Sequence, residues 1–127
     1  MKIALGQINT TIGDFTGNSG KIIEFAQRAL AGGAGLALFP ELSICGYPPR
    51  DLVENPAFVR RNQEMLQRIA DETRGIAVIC GLVTPAHADT GISAVRYAAL
   101  RVIWASSPRI LKMLLKSALA VSTNTPM

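Results

Sequence analysis

The feature that most constrains this chain is an alternation of two hydrophobic periods, in which short apolar runs are separated by longer stretches with apolar residues every three to four positions. Ile3, Leu5 and Ile8, set among small residues within 2–9, read as a buried strand running into a long polar loop at Thr10-Thr11-Ile12-Gly13-Asp14. Residues 18–31 then place Ile22, Ile23, Phe25, Ala26 and Leu30 near helical spacing, with Asn18 or Ser19 as N-cap and Gly32-Gly33 as the stop. Leu36-Ala37-Leu38-Phe39 reads as a central strand whose carboxyl end is cut by Pro40, a residue with no N–H for the ladder. After the turn-rich Gly46-Tyr47-Pro48-Pro49, residues 56–73 carry Phe58, Val59, Met65, Leu66, Ile69 and Ala70 among charged and amide residues, an amphipathic helix closed by Gly75. Ile76 to Val83 is a third strand.

Strands separated by helices of this length form parallel βαβ units, whose sites gather at the carboxyl ends of the strands. The fold class is therefore α/β. No Gly-x-Gly-x-x-Gly follows the first strand and no Walker phosphate loop occurs, which argues against a nucleotide-phosphate cradle in this segment. From about residue 90 the pattern degrades: Gly91 to Ala120 contains no acid, and a Leu-Lys-Met-Leu-Leu run follows Pro108 without a cap.

Charge divides the chain at the same place. Residues 1–89 hold 8 basic and 9 acidic side chains, whereas residues 90–127 hold 5 basic and none acidic, so the formal charge of +4 arises wholly in the last stretch. Arg96, Arg101, Arg109, Lys112 and Lys116 neither interleave with aromatics nor follow one helix face, so nucleic acid is not an expected partner. No apolar run reaches the ~20 residues of a membrane span, and Ile110 to Val121 is at most interfacial, so no membrane is expected. Two cysteines behind a Met-Lys-Ile start with no leader point to free thiols in a cytoplasmic, reducing setting.

Glu41 is the residue best placed for chemistry. It follows an apolar strand and a proline, which puts its carboxylate at the carboxyl end of a buried strand, although a plain solvated acid at a strand end has the same pattern. Cys80, among Ile79, Gly81 and Leu82, reads as core, and Cys45 as a small buried thiol. His87 is the only histidine and no cysteine cluster accompanies it, so it reads as a loop residue and no metal is expected. Pro48-Pro49 reads as a rigid turn.

Phe39-Pro40-Glu41-Leu42, followed by Gly46-Tyr47-Pro48-Pro49-Arg50-Asp51-Leu52, resembles the signature of the nitrilase, or carbon-nitrogen hydrolase, superfamily. The Gly-Tyr-Pro-Pro-x-Asp-Leu extension, together with Gln7-Ile8-Asn9, Gly13-Asp14 and Asn18, is similar to the glutaminase domains of the glutamine-dependent NAD synthetases in particular. The resemblance covers residues 1 to about 99 and implies the first half of a nitrilase-like α-β-β-α sandwich in βαβαβ order, with residues 100–127 as an aberrant tail. In that superfamily a cysteine thiolate attacks an amide carbon, a glutamate acts as general base and acid, and a lysine steadies the oxyanion. Carried over by position, Glu41 matches the general base and Tyr47 a residue lining the glutamine pocket, while the nucleophilic cysteine of the superfamily comes much later than Cys45 or Cys80.

Lys112 opens a Lys-x-Leu-Leu run like the one that carries the superfamily's lysine, at a similar distance from Glu41. The residues after it diverge from the expected Pro-Asn-Tyr and Phe-Asp-Glu stretches, so a chance lysine on an apolar helix stays open. Shifted by one frame, the codons of Val121 to Thr125 can encode Phe-Asp-Glu-Tyr and those from Arg101 can encode Arg-Asp-x-Gly, so a frameshift would account for the tail and would make the match at Lys112 accidental. The resemblance further implies glutamine as substrate, and a separate synthetase domain that uses ATP and magnesium to adenylate deamido-NAD within a homo-oligomer, with no cofactor in this segment. Another amidase or nitrilase, or an inactive truncated product of low solubility, are the alternatives.

Overall fold

The computed structural model describes residues 1–84 and 96–103. Strand β1 (Ile3–Leu5) leads into helix α1 (Phe15–Ala31), strand β2 (Leu36–Leu38), a single 3₁₀ segment (Arg50–Glu54), helix α2 (Pro56–Glu72), strand β3 (Ala77–Thr84) and strand β4 (Arg96–Ile103). The sheet order is β1-β2-β3-β4, with the first two pairings parallel and the last antiparallel. The expected βαβαβ order is present. The division at residue 99 falls inside β4.

The helix boundaries follow from their caps. Helix α1 begins three residues earlier than the apolar pattern indicates, because the Asp14 side chain accepts the Gly17 N–H at 3.0 Å and serves as the N-cap in place of Asn18 or Ser19. Helix α2 starts where Asn55 Oδ1 accepts the Ala57 N–H at 2.9 Å and Pro56 supplies a preset φ. Its end is marked by the Thr73 hydroxyl donating to Ile69 O and by Gly75 at φ +94°.

Both helices lie on one face of the sheet. Ile22, Ile23 and Ala26 of α1 and Met65 and Ile69 of α2 close over Ala37, Val78, Cys80 and Leu82 as one buried cluster. A second cluster, built from Leu42, Cys45, Val53, Phe58, Val59 and Val83, anchors the segment between β2 and α2 against the end of β3. Phe15 and Phe58 join these layers edge to face at 5.0 Å between ring centres.

The opposite face differs from the expectation for β1. Pairing Ile3 and Leu5 with Leu36 and Leu38, and those in turn with Ala77 and Ile79, puts all six on one side. Leu36, Ala77 and Ile79 are buried, but Ile3 and Leu5 are 51% and 67% exposed. The first strand is therefore an edge with an open apolar face rather than a buried strand. Among the described residues no helix is long and apolar enough to cross a membrane.

Candidate active site

Strand β2 delivers the site. Pro40 ends the ladder, and the chain turns through residues 41–49 over the carboxyl ends of β2 and β3. Leu42 holds φ +52° and Gly46 φ +84°, and the Gly46 N–H closes the turn on Leu42 O at 2.8 Å. Arg50, at φ +50°, begins the 3₁₀ segment, and the Tyr47–Pro48 peptide is cis. Two non-glycine residues in the left-handed region within nine positions mark a loop whose conformation is imposed by its surroundings.

The turn encloses an open cleft of about 310 Å³ lined by Glu41, Leu42, Tyr47, Pro48, Pro49 and Arg50. Glu41 and Tyr47, the two described residues singled out from the sequence, thus line one cleft. Glu41 is exposed rather than buried, and its carboxylate forms no hydrogen bond or ion pair among the described residues. An unpartnered carboxylate on the wall of a cleft can accept a hydrogen bond from a group that enters it. Arg50, to which no sequence motif gives a role, brings a cation to the same rim.

The loop's backbone rests directly on β3. A side chain at Gly81 would collide with the Leu42 nitrogen and the Glu41 backbone, so glycine is what allows the carboxylate-bearing turn to lie against the strand. The pairing of β3 with β4 shifts register between Cys80 and Leu82, at that same glycine. An isolated glycine inside an apolar strand pattern was the available sequence signal for this close approach.

Neither described cysteine can serve as nucleophile. Burial pushes the Cys45 thiol up to about 11, partly offset by a backbone hydrogen bond, and the thiol packs toward Leu42 O and Gly46 O inside the loop. Burial alone pushes Cys80 up to about 12 in the helix-covered core. Both are protonated at neutral pH and turned away from solvent. Ser43, two residues after Glu41, is buried, and its hydroxyl has no hydrogen-bond partner among the described residues. No group of three or more His, Cys, Asp and Glu side chains able to hold a metal occurs among the described residues. His87 and Lys112 lie outside the described residues.

Known proteins are similar to this chain in sequence and fold. The profile of the carbon-nitrogen hydrolase family matches residues 2–100. A glutamine-dependent NAD(+) synthetase from Synechocystis sp. is 50% identical over 86 residues, which is 67% of this chain and 15% of that protein. The glutamine-dependent NAD+ synthetase of Acinetobacter baumannii, solved with ADP, superposes with a TM-score of 0.63 at 35% identity, covering 67% of this chain and 16% of its own. An amidase from Nesterenkonia sp. AN1 superposes at 0.60 with 30% identity over 65% of this chain and 32% of its own; it is a glutamate-to-leucine mutant with the acetamide moiety of fluoroacetamide added covalently at the active-site cysteine. The chain spans about 15% of the length of the NAD synthetase relatives it matches. With its profile match running through all three parallel strands and the Glu41 turn, the chain belongs to the carbon-nitrogen hydrolase family.

Proposed function

We propose that residues 1 to about 99 are the amino-terminal part of a glutamine-hydrolysing domain of the NAD synthetase type, and that residues 100–127 are an aberrant tail. The observation that carries this reading is the juxtaposition of Glu41 and Tyr47 in one cleft, within a segment half identical to a glutamine-dependent NAD synthetase. In this reading Glu41 is the general base that activates a thiol supplied from outside the described residues, and then the acid that protonates the departing ammonia. Tyr47 lines the pocket that receives glutamine. The ammonia would pass to a synthetase domain, beyond these 127 residues, that uses ATP and magnesium to amidate deamido-NAD. No group of three or more His, Cys, Asp and Glu side chains that could hold that metal occurs among the described residues.

With both described thiols buried, the chain alone is expected to release no ammonia from glutamine. Ammonia release that is lost on Glu41→Ala would overturn that expectation. Sequencing the gene through codon 98 and beyond the stop tests the parentage. A one-base change that restores Phe-Asp-Glu and leads to a cysteine motif and an ATP-binding domain supports it, and makes Lys112 accidental. An intact frame followed by an unrelated gene overturns it. The amidase likeness favours a second reading, a fragment of a small-amide hydrolase. A restored frame that ends after the cysteine motif, without an ATP-binding domain, would select that reading.

A further inference from the structure

We infer that Asn18 is a positioning residue for the Glu41–Tyr47 turn, acting as a clamp between the two loops that follow β1 and β2. The inference rests on the reading of Glu41 as the proton-transfer group. Because the Glu41 carboxylate forms no hydrogen bond or ion pair among the described residues, its place over the cleft is set by the backbone that carries it. What holds that backbone is therefore part of the machinery.

Asn18 lies in the first turns of α1 and is wholly buried. Its Oδ1 accepts the Thr11 N–H at 2.9 Å, and its Nδ2 donates to Thr11 O at 2.8 Å and to Ile44 O at 3.1 Å. The first two bonds treat Thr11 as a neighbouring strand would, satisfying both its backbone groups, and the third reaches the middle of the Glu41–Tyr47 turn. Asn18 is the one side chain among the described residues that bonds both loops.

Two further contacts show how closely the loops are matched around it. Gly13 N–H donates to Cys45 O at 2.9 Å. Gly46 leaves no room for a side chain, since a Cβ there would stand 2.7 Å from the Ile12 backbone. The near-isosteres do not fit the task at position 18: aspartate cannot donate to two carbonyls, leucine can do neither, and glutamine is one methylene too long for a fully buried site. Loss of the amide would leave the Ile44 carbonyl and the Thr11 N–H without their partner, while Thr11 O would keep the Asp14 N–H at 3.1 Å.

The test is nuclear magnetic resonance on the full 127-residue chain, comparing Asn18→Ala with Ile69→Val, a variant that weakens the core without removing a hydrogen bond to either loop. We expect Asn18→Ala to speed amide exchange at Gly13 and Gly46 about tenfold more than at Val78 and Ile79, and to shift the Glu41 and Tyr47 side-chain resonances. Ile69→Val should speed all four amides alike and leave those resonances in place. Gly46→Ala, which breaks the same contact from the opposite loop, should reproduce the Asn18→Ala signature. Uniform acceleration in Asn18→Ala, or unmoved Glu41 and Tyr47 resonances, would reduce Asn18 to a structural residue and overturn the inference. Outright unfolding of both Asn18→Ala and Gly46→Ala would do the same. Glu41→Gln should leave the four exchange rates unchanged, so failure of the glutaminase reading and failure of the clamp are separately visible.

Discussion

On the helix side of the sheet Ala37, Val78, Cys80 and Leu82 are sealed beneath Ile22, Ala26 and Ile69, whereas on the other side Ile3, Leu5 and Leu38 stand 51%, 67% and 37% exposed. The same three parallel strands supply both faces, and their alternation treats both as apolar. The difference teaches which part of the chain is self-sufficient. One layer of helices completes the first face, and the Glu41 turn is built at the end of that finished half, so the site's backbone does not depend on how the second face is covered. Family membership is consistent with this asymmetry, since the chain spans only a small part of its NAD synthetase relatives.

The sharpest way to break the comparison is to open the sealed face. Ile69 is fully buried between α2 and the sheet, and Ile69→Ala removes three carbons from a site that cannot collapse against a β-sheet. Urea denaturation should show a loss of about 2–5 kcal/mol. A loss below about 1 kcal/mol would mean that the helix layer is loosely seated and that the two faces are alike.

Alkaline pH probes the same face by a different route. Both thiols titrate in the folded state above their ordinary value of 9.0, Cys45 at about 11 and Cys80 at about 12, because burial disfavours the thiolate. The sign follows from proton counting. Between pH 9 and those values the folded chain holds protons that the unfolded chain has released, so the stability is fully present below pH 9 and is lost as pH rises through 11 and 12. Each thiol contributes a slope of up to about 1.4 kcal/mol per pH unit within its window. Cys80→Ala should flatten the stability profile measured from pH 8 to 10.5 by up to one proton. An unchanged slope would show that water reaches the helix-covered face.

The parts legible in the sequence were those carried by periodicity and by punctuation. The Ile22-Ile23-Ala26 and Phe58-Met65-Ile69 faces named the two helices, Pro40 and Gly75 placed their boundaries with the strands, and Glu41 fell at the strand end where it was sought. The start of α1 was obscured because Gly17 and Gly20 depress helix propensity over the first turns, while the Asp14 cap that overrides them lies outside the apolar pattern. Asn18 could be read as a cap because asparagine is common there, yet its amide turns to Thr11 and Ile44, a long-range use that no local pattern encodes. The exposure of β1 was equally hidden: Ile3 and Leu5 read as buried because alternation reports which side a residue faces and says nothing of what lies opposite. Arg50 joined the cleft through a left-handed backbone at a non-glycine residue, which sequence rules assign to glycine or asparagine.

The smallest expected effect sharpens the comparison from the open side. Leu5 lies on an edge strand, 67% exposed, beside Ile3 and the half-open Leu38, so it presents both an apolar patch and unpaired strand edge to a second molecule. Leu5→Lys should change the unfolding free energy by no more than about 0.5 kcal/mol, because little area is lost and the charge stays in water. It should, however, lower any concentration-dependent self-association that sedimentation or light scattering detects in the unsubstituted chain, since a lysine on an open edge opposes strand-to-strand pairing. A stability loss approaching that of Ile69→Ala would mean that the β1 face is covered within the chain itself. Unchanged association would mean that the patch is too small to drive it. The first result would remove the asymmetry between the faces and the second would deny it a role in association, whereas the expected pair of outcomes, neutral stability with reduced association, locates the open apolar surface at β1 and leaves the Glu41 turn on the covered side.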